Sequence, residues 1–245
     1  MSGPVADTLL GVLRLGGYVG YVLVAGTIAF ASLIWPDGFR DRLLARVGAT
    51  GAVVALLTTV GTPVVQAWAR LTSLLEVSGR TDAVAALIRS ATLVLILTLL
   101  PELTGRHAVG AGPRIAAGVA AGVAAGSIAV TYVIQSDALS IRWPVVALIA
   151  TSAHIFATAA WLGGLVALAI VVIPRSNRDA LHAILPRFSR LAVAGVVTLT
   201  VTGVIHALLA ADGIRPLLSS SYGLVLILKV ALFAIMLLLG NQGRA

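Results

Sequence analysis

Seven apolar runs, each long enough to cross a bilayer, restrict this chain to very few folds. A membrane span takes roughly 20 apolar residues. In hydrocarbon every backbone N–H and C=O must find its partner within the protein, so such runs become helices. The runs are Leu9–Ile34, Leu44–Trp68, Val84–Leu103, Ile115–Ile134, Pro144–Ile173, Leu191–Ala211 and Tyr222–Gly240. Short connections join them. The expectation is an all-α polytopic membrane bundle with seven transmembrane helices, forming a single transmembrane domain over residues 1–245. Composition agrees: 59% of residues are hydrophobic and 11% charged, against about 25% charged in soluble domains. The first run does not read as a cleavable signal. No basic segment precedes it, and it is far longer than the roughly 7–15 residues of a signal core.

Sixteen of the 17 basic residues are arginine. They gather in loops and at run ends, without a Lys/Arg block or a basic face with interleaved aromatics, so the charge of +8 does not point to nucleic acid. The loops after runs one, three and five hold Arg40, Arg42, Arg106, Arg175, Arg178 and Arg187, with Arg46, Arg114 and Arg190 at adjoining helix ends. The other side holds Arg70, Arg80, Arg142 and Arg215, with Arg14 and Arg89 in or beside spans. The positive-inside rule puts the first group in the cytoplasm, the N-terminus outside and the C-terminus inside. Cysteine is absent, which removes disulfides, thiolate metal sites, iron–sulfur clusters and cysteine nucleophiles.

Two histidines stand inside spans. His154 lies in HIFATAAWLGGL and His206 in TGVIHALL. An ionisable residue in a membrane helix is a functional-site hypothesis by default. Counting from the cytoplasmic ends at 1.5 Å per residue puts His154 about 29 Å up, His206 about 24–29 Å and Tyr132 about 27 Å. All three then lie near the outer edge of a hydrocarbon core about 30 Å thick. Lys229 lies roughly 18 Å up, and its stem can carry the ammonium outward. His154 shares a helix face with Thr158, Trp161 and Leu165. His206 shares one with Thr202, Thr198 and Gly195, and Tyr222, Lys229 and Met236 form a stripe. Gly118, Gly122 and Gly126 are spaced for close helix packing, and Gly16 with Gly20 suggest a second contact. Thr58, Thr62 and Gln66 stand beside Pro63. They read either as a proline kink satisfied by hydroxyls or as a polar strip along a path.

Imidazole suits copper, zinc, iron and nickel. Two at one depth fit a two-histidine copper site, the axial pair of a haem b, or helix glue in which each ring bonds a threonine or a carbonyl. His107 and His182 lie in cytoplasmic loops among arginines. No nucleophile–His–carboxylate set, phosphate-binding glycine loop or HExxH occurs, and the carboxylates sit almost all in loops or at run ends. The chain reads as no enzyme.

The order His154, Trp161–Leu165, Pro186–Leu191, Thr202–Gly203, Tyr222–Gly223, Lys229 and Gly240–Asn241 resembles the CopD copper-resistance family of bacterial inner-membrane proteins. The signature region is 144–241; upstream, RLGGYVGYVLVAGTIAF and Gln66-Ala67 resemble the family more loosely. The composition resembles actinobacterial members, in which such domains can be fused to a cytochrome-oxidase assembly domain. The resemblance implies copper transport or handling in a multi-pass inner-membrane protein, usually inward and sometimes with a periplasmic copper-binding partner. The histidine pair would then be the metal site near the outer face, with Lys229, Tyr132, Trp161, Thr202, Tyr222 and Gln66 as pathway or gate. The alternatives are a bis-histidine haem b electron carrier and a non-catalytic assembly partner of another membrane protein. Two departures stand out. The family tends to eight helices, which implies a bundle here shortened by one. Copper proteins often use Cys or Met, whereas Met occurs here only at Met1 and Met236.

Overall fold

The computed structural model describes residues 3–35, 38, 40–70, 79–104, 111–136, 143–175 and 178–210, with residues 224–225, 227–228, 230–232 and 235. The described elements are all helical: α1 Pro4–Leu33, α2 Arg42–Arg70, α3 Arg80–Thr104, α4 Ala111–Ile134, α5 Pro144–Ala167 and α6 Arg178–Ala210. A π turn over Leu168–Val172 extends α5. Five of these helices are long and apolar enough to cross a membrane, and a shorter apolar stretch covers Gly118–Ile134. Large apolar side chains such as Leu57, Leu87, Val123, Val145 and Leu208 face outward, as a bundle solvated by lipid requires. The seventh run, with Tyr222 and Lys229, falls largely outside the described residues.

Helix α1 is central, packing on α2, α4 and α5. Its contacts are backbone-close where both partners are small. A Cβ on Gly20 would lie 2.6 Å from the Ala55 nitrogen, and one on Gly51 would lie 2.6 Å from Leu23 Cβ. Farther along α1, Gly26 meets the Gly163 backbone of α5. Without a hydrophobic force between helices in lipid, such close approach is a main source of association. The expectation for Gly16 and Gly20 therefore holds. The stripe on α4 is different. Only Gly118 meets a neighbour, Ser32, and a Cβ on Gly122 or Gly126 would touch nothing within 4 Å among the described residues.

Register contacts fix the helix directions. Gly17 pairs with Thr58, and Gly48 with Thr27, so α1 and α2 run antiparallel. Tyr132 reaches Gly17 while Tyr21 reaches Ala125, which makes α4 antiparallel to α1. At one end of the bundle Phe30, Ile34, Leu44, Val171, Val172, Ile184 and Phe188 form an apolar cluster, so α1 and α5 run parallel. The last described helix is longer than its apolar run. It starts at Arg178 and continues through Pro186, Arg187 and Arg190. The arginines suggested a loop, but Arg187 donates to the Ile34 carbonyl at 3.2 Å and the Phe188 ring packs tilted against Phe30. These contacts tie a helical Pro-Arg-Phe segment to the end of α1, where the carbonyls lack helical donors. Beside it Asp41 caps α2, accepting from the Leu43 and Leu44 amides at 2.8 and 3.0 Å.

Candidate metal centre

At the opposite end from that cluster, α5 and α6 bring His154 and His206 together. Their ring centres are 5.8 Å apart and the rings cross at 80°. The two helices pack antiparallel, with Trp161 Cβ 3.5 Å from where a Gly195 side chain would begin. Two turns farther along the same seam, His154 Nδ1 lies 2.8 Å from Thr202 Oγ1. Both histidines are half-buried.

Thr202 determines the tautomer of His154. Its hydroxyl donates its single proton back to the Thr198 carbonyl at 2.7 Å, since a carbonyl can only accept. The oxygen therefore accepts from His154 Nδ1–H, and the basic lone pair of His154 sits on Nε2. A second-shell bond of this kind orients a metal-ligating imidazole and raises its basicity. One turn nearer the start of α5, on the same face, the buried Thr151 hydroxyl has no hydrogen-bond partner among the described residues.

The spacing suits one ion. A metal sits about 2 Å from each imidazole nitrogen, and each nitrogen about 1 Å from its ring centre, so a linear pair places ring centres about 6 Å apart. Among the described residues no group of three His, Cys, Asp or Glu gathers anywhere.

The other expected site residues divide. Thr202 belongs to the histidine cluster. Trp161 lies two turns away on the α5–α6 seam. Tyr132 and Gln66 line a separate cavity between α1, α2, α3 and α4, together with Thr58, Thr62 and Pro63. The Thr58 and Thr62 hydroxyls donate back along α2, to Val54 and Thr58 carbonyls at 3.0 and 2.8 Å. Neither bond goes to the Thr59 carbonyl, the one that Pro63 frees, so they do not bear out the proline-kink reading, and the same residues line a space. Lys229 and Tyr222 lie outside the described residues.

Sequence reasoning placed Arg89 in or beside a span but gave it no site role. It is buried at 5% exposure, its Nε donates to Thr131 Oγ1 at 3.0 Å, and its guanidinium carbon sits 3.7 Å from the centre of the Tyr132 ring. The signal was present: an arginine in the apolar string AALIRSATLVLIL invites the same question as a histidine in one.

Comparison with known families agrees with the resemblance in the sequence. Residues 182–245 match the CopD family, copper resistance protein D. The matched stretch begins inside α6 and includes the Pro-Arg-Phe segment, Thr202 and His206. The long apolar helices are of membrane-crossing length, and the last quarter of the chain is similar to copper resistance protein D. No curated protein and no solved structure matches the chain.

Proposed function

We propose that this CopD-like bundle handles copper at the bacterial inner membrane, and that His154 and His206 take up one copper ion near the outer face. The observation that carries the reading is the pair itself: two imidazoles 5.8 Å apart, one of them oriented by Thr202 with Nε2 as its basic nitrogen. Copper here is cargo. A two-coordinate site of neutral nitrogens holds Cu(I) without the thiolates of a high-affinity store, and a cargo site must release what it binds. Inward movement and delivery by a periplasmic copper-binding partner follow from the family resemblance. Trp161 and Thr202 line the α5–α6 seam below and beside the pair, and Tyr222 and Lys229 join the proposed path on sequence grounds. Tyr132 and Gln66 stand in the arginine cavity, so the proposed path leaves them aside.

The bis-histidine haem alternative fares worse. A macrocycle between the rings needs the helices held apart, yet His154 bonds directly across to Thr202 at 2.8 Å, one turn from His206. Loading the purified protein with Cu(I) tests the proposal against both alternatives. The expected result is one exchangeable Cu(I) per chain at equilibrium and no intense Soret band. A Soret band in the isolated protein, or no copper bound at equilibrium, contradicts it.

A further inference from the structure

A second polar site lies at the same level of the bundle as the histidines. Gly26 meets Gly163, and α1 and α5 run parallel, so nine residues back along each helix Gly17 stands level with His154. Gly17 accepts the Tyr132 hydroxyl at 3.0 Å. Here α1 to α4 enclose a cavity of about 400 Å³, whose lining includes Arg14, Tyr18, Gln66, Asp82, Arg89 and Gln135.

Among the described residues the charges of that lining do not balance. Arg14 and Arg89 bring two positive charges and Asp82 one negative, leaving one positive charge over. Arg89 is the deeper cation. Its partners among the described residues are neutral: Thr131, the Gln135 amide oxygen and the face of Tyr132. Its Nε and one Nη carry these bonds, which leaves the Nη1–Nη2 edge for a ligand. Tyr132 stacks in turn on Tyr18, ring centres 5.3 Å apart, so the guanidinium is held by a wall of aromatic rings. A buried cation without a carboxylate partner is costly in a membrane protein. The surplus positive charge of the described lining favours anions over copper ions.

We propose that this cavity binds a singly charged oxyanion on Arg89 and Arg14. The guanidinium edge matches the paired oxygens of a carboxylate or a phosphodiester. Two sources offer that chemistry: a free small carboxylate, or the headgroup of an anionic phospholipid entering between helices. The site is independent of copper binding by the histidines.

The test uses the whole chain in phosphatidylcholine nanodiscs, with melting temperature read by tryptophan fluorescence. In one arm acetate replaces chloride at constant ionic strength. In the other, phosphatidylglycerol replaces phosphatidylcholine and no acetate is added. A ligand that binds only the folded state raises the melting temperature with its concentration. A rise in the acetate arm identifies a free carboxylate, and a rise in the phosphatidylglycerol arm identifies the lipid. In either case Arg89→Gln should abolish it, and Arg14→Gln should require about tenfold more ligand for the same rise, the loss of one charge-assisted contact. Arg14 is exposed, so its variant folds and keeps the test decisive if Arg89→Gln does not. No rise in either arm, or an equal rise in Arg14→Gln, overturns the proposal.

Discussion

Thr202 has one proton to give, and its destination decides which nitrogen of His154 can hold a metal. Because the proton goes to the Thr198 carbonyl, Thr202→Val removes only the acceptor for His154 Nδ1. The helix loses little, since such back-bonds are local. Copper affinity should fall about 10- to 100-fold, the usual effect of deleting a second-shell partner of a metal-bound histidine, while circular dichroism stays unchanged. Chelator competition measures it, and an unchanged affinity would mean that Thr202 only glues α6 to α5. At this scale the sequence was informative in part. The two histidines, their faces and Thr202 could be read from helical spacing because neighbours on one face recur every three or four residues. Which residues on different helices meet could not, since spacing along one helix carries no register against another. Tyr132 shows this: its height was well placed, but its hydroxyl turns to Gly17 on α1 and its ring to Arg89 on α3, away from the α5–α6 seam.

Helices were the most legible level, because an apolar run in lipid has only one way to satisfy its backbone. Their ends were less so. The run before Leu191 carries Arg187 and Arg190, and charge there signals a loop unless the neighbour that uses it is known; Ile34 is that neighbour. Among the described residues the glycine stripe of α4 meets a neighbour only at Gly118. Small residues permit close approach but do not create it, and the partner backbones lie instead at Gly51 and Gly163. Substitutions at the two kinds of glycine should therefore differ. Gly163→Val forces α5 off the α1 backbone and should cost about 1–3 kcal/mol or more, the range for overpacking. Gly122→Val meets nothing within 4 Å among the described residues and should be nearly silent. Thermal unfolding in detergent separates them, and equal losses would refute the packing described for α1 and α5.

For the whole molecule, the antiparallel succession of helices puts the histidine pair and the arginine cavity at one end, and the apolar cluster around Phe30 and Phe188 at the other. Arg40, Arg42, Arg175 and Arg187 crowd the cluster end, which we propose faces the cytoplasm, as the positive-inside rule predicts. Ser176→Cys, in a chain with no native thiol, should stay unlabelled by an impermeant maleimide in intact cells; labelling would invert the bundle and put the histidines on the inner side. The claim on which the functional account rests is that His154 and His206 hold the same ion, and a double-mutant cycle on Cu(I) affinity tests it most directly. His154→Ala and His206→Ala should each lower affinity by at least about 100-fold, roughly 2.7 kcal/mol, and the double variant should be no weaker than the worse single one, because either loss already breaks the site. Losses that add in the double variant, or folded single variants that bind copper as the parent does, would contradict it.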